Sequence, residues 1–396
     1  MRIFRDLLRV ILVAILFAGA AVIAQSQAPP PAKPRFTPTP LPLTKFYDTP
    51  DPLPVGKPGE LIRSEPFYDY QLPYEISAVR ILYHSRSLNG EDVAVSGVVL
   101  LPDGTPPQEG WPVIVWAHGF TGAARQCAPS LMRNLNDGPL LSMYAGLGYA
   151  VVASDYAGLG TSFPFAALSI RSNTLDIIYS LAAARAALPQ LGTKWVAVGK
   201  SQGGLVAAGV AEAEGEFGDP RYLGSVAISG VGEPKEVFER LAQGRSYSML
   251  VFLAKGIRAV FPQFRVEDML TAKAIPMYQY IGRACETSSE PPLAPEEMLK
   301  PGWENNRYVE EFFSKNTLGQ KPVPGPLLLI SGDADSDVPS AFTASVVARL
   351  CKQKDHVLFV RYPGHNQSDV FEDSVSEQIS WIRARFAGVP APSNCP

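Results

Sequence analysis

The chain has 396 residues, 46% of them hydrophobic and 18% charged, a composition typical of a globular protein with a large apolar core. Its formal net charge is −3 at pH 7. This small charge, without long runs of like charges, provides no electrostatic basis for binding nucleic acid or an anionic membrane.

The first residues have the pattern of a secretory signal peptide. Three arginines within the first nine residues precede an apolar stretch at 10–23, which is short for a membrane-spanning helix. Cleavage motifs end at Ala24 and at Ala28, and Pro29 directly after Ala28 favours cleavage at the earlier position. We therefore expect a signal peptide at 1–24 and a protein that is secreted or periplasmic. The proline-rich stretch that follows has no hydrophobic periodicity, so an extended arm is expected over 25–64.

If the protein is exported, its cysteines are expected to be structural. In an oxidising compartment disulfides are the favoured state of the four cysteines, which are Cys127, Cys285, Cys351 and Cys395. No CxxC pair or Cys/His cluster suggests zinc. Four cysteines allow three pairings, among which the residues alone do not choose, although local closure would join Cys351 to Cys395. Unpaired buried thiols are the alternative.

The next part of the chain predicts an antiparallel hairpin followed by a parallel sheet. Strands at 79–83 and 93–100 flank the turn signal Asn89-Gly90. Continuous apolar runs, typical of strands buried on both faces, then occur at 113–117, 150–153, 195–198, 225–228, 327–330 and 357–360. Helical stretches lie between or after them, at 174–188, 205–214, 341–352 and 374–386. This alternation predicts an α/β fold with a mostly parallel, doubly wound sheet and an antiparallel start.

One long interval interrupts the alternation. About ninety residues, 233–324, separate two predicted core strands and contain aromatic residues and helix formers without a convincing strand pair. Connections of this length in a compact domain are usually functional. We expect a helical cap at 233–324, inserted between two parts of the core at 65–232 and 325–396. A purely structural insertion is the alternative.

The segment from Gly199 to Gly204 predicts a nucleophile. It reads Gly-Lys-Ser-Gln-Gly-Gly and lies between the apolar run 195–198 and a helical stretch. A Gly-x-Ser-x-Gly in this setting is typical of the nucleophile elbow, a strained turn that holds a serine Oγ above the sheet. Ser201 is therefore the predicted nucleophile.

A serine needs a base, and the chain has only four histidines. His84 lies within the early hairpin and His118 follows the 113–117 strand. His356 begins a strand, at the end away from Ser201. His365 follows the last strand on the catalytic edge, so it is the predicted base.

The triad carboxylate should follow the preceding strand, where three aspartates occur in one loop. Asp333, Asp335 and Asp337 also form a D-x-D-x-D run that could begin a calcium loop. Val338 and Pro339 stand where the glycine turn and further oxygen ligands should follow, which disfavours calcium. Asp337 is expected to cap the next helix.

Acyl transfer also requires hydrogen-bond donors for the oxyanion. The amide of Gln202, at the start of the elbow helix, is one predicted donor. The second is the amide of Phe120 or Thr121, with the Thr121 hydroxyl as possible support. His118 is expected to brace this loop by hydrogen bonding.

Several less common motifs, in order along the chain, carry a family resemblance. They are Phe46-Tyr47, Lys57-Pro58-Gly59-Glu60-Leu61-Ile62-Arg63, Trp116-Ala117-His118-Gly119, Cys127-Ala128-Pro129-Ser130, Ser154-Asp155-Tyr156-Ala157-Gly158-Leu159-Gly160, the elbow itself, Gly332-x-Ala334-Asp335-x-x-Val338-Pro339 and Gly364-His365. With these motifs the chain resembles the secretory lipases of the α/β-hydrolase superfamily, from residue 46 to about residue 386.

The resemblance has implications for the site. It implies that Asp335 is the triad acid, with Asp333 as the fallback. It also implies a helical cap between the sixth and seventh core strands, no metal cofactor, and the pairings Cys127–Cys285 and Cys351–Cys395. Lys200 departs from the family pattern, in which histidine or tyrosine usually precedes the serine.

The sequence thus predicts an exported serine ester hydrolase, a lipase or carboxylesterase, that acts on small-molecule or lipid esters without a cofactor. The aromatic cap is expected to line an acyl groove and to contact lipid interfaces. A serine peptidase is one alternative, since Glu236, Glu239 and Glu286 could bind a peptide amine. A non-catalytic binding protein is the other, but such proteins usually lose a triad residue. The residues do not indicate the oligomeric state.

Overall fold

The computed structural model describes residues 39–243, 249–285 and 293–396. The predicted signal peptide at 1–24, the first part of the predicted arm (25–38) and Glu286 lie outside these ranges. Within them, no helix is long and apolar enough to cross a membrane.

A nine-stranded mixed sheet forms the centre of the fold, with the strand order β1-β2-β3-β5-β4-β6-β7-β8-β9. The strands are β1 (Leu61–Pro66), β2 (Ser77–Arg86), β3 (Asp92–Leu101), β4 (Trp111–Ala117), β5 (Ala150–Ser154), β6 (Leu191–Lys200), β7 (Tyr222–Ile228), β8 (Leu327–Gly332) and β9 (Val357–Tyr362). β1, β2, β3 and β5 pair antiparallel in succession, and the pairs from β5 through β9 are parallel. The carboxyl ends of β4, β6, β8 and β9 therefore lie along one edge of the sheet, where sites of such folds form.

Eleven α-helices are present in the described ranges. They are α1 (Gly138–Gly146), α2 (Ile170–Ala187), α3 (Gln202–Phe217), α4 (Pro234–Gln243), α5 (Met249–Val260), α6 (Ile275–Ile281), α7 (Pro295–Met298), α8 (Arg307–Lys315), α9 (Ser340–Lys352), α10 (Gln367–Asp373) and α11 (Val375–Phe386). The sheet is covered on both faces by apolar clusters. One includes Ile177 of α2 and Val210 of α3, and the other includes Tyr144 of α1 and Trp381 of α11.

The predicted α/β sheet with its antiparallel start is confirmed. The hairpin forms around Asn89-Gly90, and each of the six apolar runs lies in a strand. β1 was not predicted. It is an edge strand with mostly half-exposed side chains and ends at Pro66, so it lacks the apolar run of the central strands.

Helices α4 to α8 occupy the interval between β7 and β8, as the sequence predicted. The only β pairing of this interval, within the described residues, is an isolated bridge between Leu270 and Leu299. Both disulfides implied by the family resemblance are present, Cys127–Cys285 and Cys351–Cys395. The first connects the segment after β4 to this helical interval.

Candidate active site

Ser201 lies in a strained turn between β6 and α3. Its backbone has φ 53° and ψ −122°, a positive φ that non-glycine residues rarely adopt. The Ser201 N–H donates to the carbonyl of Ile228 at 2.8 Å, and the Ser201 carbonyl accepts from Gly204 N–H at 2.9 Å. Strand β7 and helix α3 thus hold the turn from both sides.

Close backbone packing explains two glycines of the elbow. A Cβ on Gly199 would overlap the carbonyl of Gly203, and a Cβ on Gly203 would overlap the carbonyl of Ala117. Any side chain at these positions would push α3 away from β4 and β6. The glycines therefore fix how close the serine sits to the loop after β4.

His365 lies in the loop after β9, but its ring does not contact Ser201 or Asp335 in this conformation. Nδ1 is 2.9 Å from the carbonyl oxygen of Pro363, and Nε2 is 3.0 Å from Oδ2 of Asp373 on α10. The Pro363 carbonyl, together with Asp373, raises the pKa of His365 above its usual value. The predicted base is thus near the predicted site but turned outward.

Asp335 is 4% exposed, and only one of its two carboxylate oxygens accepts hydrogen bonds from the described residues. Its Oδ1 accepts the backbone N–H groups of Asp337 and Val338, each at 2.9 Å. Its Oδ2 is buried and has no hydrogen-bond partner among the residues described. Burial raises the pKa of Asp335 above its usual value, although the two hydrogen bonds to Oδ1 lower it.

The backbones of the two loops are already joined. The N–H of Ala334 donates to the carbonyl of His365 at 3.0 Å, so His365 and Asp335 lie on adjacent segments. An imidazole N–H is the kind of donor that the unpartnered Oδ2 lacks.

The other two aspartates of this loop have different surroundings. Asp333 accepts from the Ser340 hydroxyl and pairs with Arg361 at 3.1 Å, and the Ser340 hydrogen bond is the main cause of its lowered pKa. The prediction that Asp337 caps the next helix is wrong. α9 begins at Ser340, so the N-cap position falls to Pro339, which has no side-chain cap bond.

The loop after β4 passes beside Ser201. A Cβ on Gly119 would lie 3.6 Å from the Cβ of Ser201. Phe120 packs edge-on against Phe252 of α5, with ring centroids 4.5 Å apart. The Thr121 hydroxyl and both amide atoms of the Gln202 side chain are buried without partners in the described part of the chain. The structure therefore brings the three predicted oxyanion-hole residues to the neighbourhood of Ser201.

His118 is buried under this loop. Its Nδ1 and Nε2 lie 2.6 Å and 3.2 Å from the carbonyl oxygens of Gly119 and Asp155, and its ring stacks on Tyr156 at 4.2 Å. Burial lowers the pKa of His118. These contacts fit the predicted bracing role.

Three of the family motifs meet nearby. The buried carboxylate of Asp155 accepts the Ser130 N–H at 2.9 Å and the Ser96 hydroxyl at 2.7 Å. The Tyr47 hydroxyl lies 2.9 Å from the Ser130 hydroxyl. These motif residues hold the loops together below the site.

An apolar pocket of about 440 Å³ opens beside Ser201. The helices between β7 and β8 form one wall of it, through Val237, Phe238, Leu241, Met249 and Phe312. Core residues including Phe120, Leu168, Ile170 and Leu205 form the rest. Arg240 on α4 also donates to the Ser336 carbonyl at 2.7 Å, so the helical interval contacts the loop of Asp335 directly.

The sequence analysis did not predict the contacts of Lys200, and it did not single out Asp137 or Asp373. Lys200 forms an ion pair with Asp137, whose side chain is 2% exposed, and its Nζ lies 4.1 Å from the ring centroid of Phe371. Asp373 binds His365. Asp137 is 63 positions from Lys200 in sequence, and no local pattern connects them.

The nucleophile elbow at the carboxyl edge of a mixed sheet, with helices inserted between β7 and β8, defines an α/β-hydrolase fold. Solved structures agree. Lipase A from Candida antarctica in its closed state matches with a TM-score of 0.79 at 17% identity, covering 90% of this chain and 89% of that chain. The rice cell wall degrading esterase LipA from Xanthomonas oryzae matches with a TM-score of 0.70 at 19% identity, covering 84% of this chain and 98% of that chain.

The model of the secretory lipase family matches residues 137–394. The chain belongs to the secretory lipase family and is a carboxylic ester hydrolase of the lipase and esterase class. No curated protein sequence gave a significant match.

Proposed function

We propose that the chain is an exported serine ester hydrolase that cleaves hydrophobic carboxylic esters through an acyl-enzyme. Ser201 attacks the ester carbonyl, His365 accepts the serine proton, and Asp335 stabilises the resulting imidazolium. His365 then protonates the leaving alcohol, and water releases the acyl group through the same base. The observation that carries this proposal is the strained, glycine-packed Ser201 turn at the wall of an apolar pocket.

The base must turn for this reaction to occur. In the proposed active conformation the His365 ring leaves Asp373 and turns inward. Nδ1–H then donates to Oδ2 of Asp335, and Nε2 faces Ser201. The unpartnered buried oxygen of Asp335 supports this assignment, because an unsatisfied buried acceptor costs about 1–3 kcal/mol.

The oxyanion is stabilised by backbone donors. The Gln202 N–H is at the first position of α3, where helix N–H groups have no intrahelical acceptor. The second donor is the N–H of Phe120 or Thr121. The position of Gly119 supports this placement, since a Cβ built there would be in van der Waals contact with the Cβ of Ser201.

Residues 233–324 act as the cap in this proposal. Their apolar side chains line the pocket beside Ser201, so the acyl chain of the substrate would lie against α4, α5 and α8. We assign contact with lipid interfaces to the same segment, on which the Tyr280 side chain is 43% exposed. Export is supported by the family name and by two disulfides, which are typical of oxidising compartments.

The test compares wild type with Ser201→Ala on p-nitrophenyl esters of short, medium and long acyl chains and on aminoacyl anilides. We expect ester hydrolysis by wild type, a preference for apolar acyl chains, and loss of at least about 10³-fold in Ser201→Ala. Equal hydrolysis by the two proteins would refute the mechanism. Strong anilide turnover without ester preference would favour a peptidase instead.

A further inference from the structure

A second cavity meets the apolar pocket at Ser201. This groove has a volume of about 630 Å³ and runs between α1 and α10. Its lining is mixed, with apolar side chains such as Leu140, Met143 and Phe371 beside the polar side chains of Asn136, Asp137, Lys200, Ser201, Ser229, Gln367, Ser368 and Glu372. Asn136, Lys200, Ser201 and Gln367 line both cavities.

An ester bound at Ser201 has two substituents on its carbonyl carbon, the acyl chain and the alkoxy group. If the acyl chain fills the apolar pocket, the alkoxy group is directed into the other cavity that opens at the nucleophile. Because it also opens at Ser201, the groove between α1 and α10 is the place for the alcohol part of the substrate. This step rests on the proposed function.

Lys200 is held in the groove with little freedom. One of its ammonium protons is donated to Asp137, and the ammonium also faces the Phe371 ring at 4.1 Å. Its side chain remains 25% exposed, which leaves a donor for a ligand. The Asp137 carboxylate neutralises the ammonium, and Glu372 adds a second carboxylate to the lining, so the groove has no net positive charge with which to select an anionic alcohol.

Ser229 is a second polar residue of the groove, and its hydroxyl supports the inference independently of Lys200. The residue is 2% exposed, and its hydroxyl has no hydrogen-bond partner among the described residues. It follows β7 at a positive φ of 54°, so its backbone is strained where it lines the groove. A buried hydroxyl without a partner is costly unless a ligand or water satisfies it.

The geometry points to a groove that binds uncharged alcohols with free hydroxyl groups, such as glycerol or a sugar. Lys200 donates to one hydroxyl of the alcohol and Ser229 exchanges a hydrogen bond with another. The preferred substrates would be partial esters of polyols, whose alcohol part keeps hydroxyls, rather than fully esterified glycerol. Lys200 stands where the family usually has histidine or tyrosine, and in this proposal it is a specificity-determining residue.

The test uses two substrates that differ only in hydroxyl groups, 1-monodecanoylglycerol and propyl decanoate. The measured quantity is the ratio of their kcat/KM values, so a general change in activity cancels. We expect a ratio of at least about ten in wild type, because a site built to bind hydroxyls discriminates against analogues that lack them. Lys200→Met combined with Asp137→Asn, which removes the ion pair without leaving a buried charge, should lower the ratio about tenfold.

Ser229→Ala should lower the same ratio about threefold, in line with the loss of one neutral hydrogen bond. This second variant decides the question if the double variant does not fold. Lys194→Met is the matched control, because Lys194 is on the same strand, is exposed and pairs with Glu109. It should leave the ratio unchanged.

A ratio near one in wild type, or the same ratio in wild type and the groove variants, would overturn the inference while leaving ester hydrolysis intact. If wild type hydrolysed neither ester, the proposed function itself would be refuted, and the inference with it.

Discussion

The proposed nucleophile and the proposed base lie on the same edge of the sheet, but they are held in different ways. Ser201 is fixed by backbone hydrogen bonds to β7 and α3 and by glycines that leave no space for a side chain. His365 is in a partly exposed loop, and its ring binds a surface carboxylate while one oxygen of the buried Asp335 carboxylate lacks a donor among the described residues. Ser201 is therefore preorganised by the backbone, whereas the proposed base can be held by either Asp373 or Asp335.

The largest expected effect concerns the buried carboxylate. Asp335→Asn should lower kcat by about 10⁴-fold, as loss of the orienting carboxylate does in other triads, without unfolding the protein. Asp333→Asn is the matched control, since Asp333 binds Ser340 and Arg361. Steady-state kinetics on a p-nitrophenyl ester would measure both. A large loss in Asp333→Asn with little change in Asp335→Asn would assign the acid to Asp333.

The rigid placement of Ser201 can be tested by a substitution at Gly203. Gly203→Ala places a Cβ against the Ala117 carbonyl, so we expect the free energy of unfolding to fall by about 3 kcal/mol, with activity lost as well. Gly146→Ala is the control, because nothing lies within 4 Å of its added Cβ and the residue is in α1. That change should be neutral or stabilising. Similar urea-unfolding midpoints for the two variants would contradict a sterically fixed elbow.

The Cys351–Cys395 disulfide holds the C-terminal tail against β9, and its removal tests how much this support matters. Cys395 anchors a tail in which the Asn394 N–H donates to the Val357 carbonyl at 3.0 Å and its side chain bonds the Phe359 N–H and carbonyl. Replacing Cys351 and Cys395 by serine should cost about 2 kcal/mol of unfolding free energy and lower kcat, because β9 leads into the His365 loop. Chemical denaturation and kinetics would measure both effects. Unchanged stability would show that the tail is held by its hydrogen bonds alone.

The smallest expected effect is on the pH profile. The Pro363 carbonyl and, after it, Asp373 raise the pKa of His365. Since the base acts only when neutral, the Asp373 contact moves the acid limb of kcat/KM to higher pH. Asp373→Asn should therefore shift that limb to lower pH. Asp369→Asn, which removes a weaker charge effect without removing the hydrogen bond, should shift it less in the same direction. A shift to higher pH in Asp373→Asn would contradict the description of His365 as a base held by either Asp373 or Asp335.

Much of the fold could be predicted because its determinants are local. Continuous apolar runs identified strands β4 to β9, and the Asn89-Gly90 turn identified the β2–β3 hairpin. The disulfide pairing came from family resemblance, since the residues alone allowed three arrangements. β1 was missed because an edge strand needs neither an apolar run nor strict alternation.

The sequence names the residues of the proposed site but does not indicate their side-chain arrangement. The Ser201 turn follows from glycine spacing, which is local. The contacts of Lys200 with Asp137 and Phe371 join distant segments, and the outward turn of His365 depends on Asp373, for which the sequence offers no distinguishing pattern. Rotamers and long-range ion pairs depend on the packed structure, so they could not be read from local patterns.

The most direct test of the proposed triad is a crystal structure of the protein after reaction with a p-nitrophenyl alkylphosphonate. We expect phosphorus bonded to Ser201 Oγ, the His365 ring turned inward with Nδ1 within hydrogen-bond distance of Asp335 Oδ2, and Asp373 released. A phosphonylated Ser201 with His365 still bound to Asp373, and another group beside the phosphonate, would contradict the assignment of His365 and Asp335.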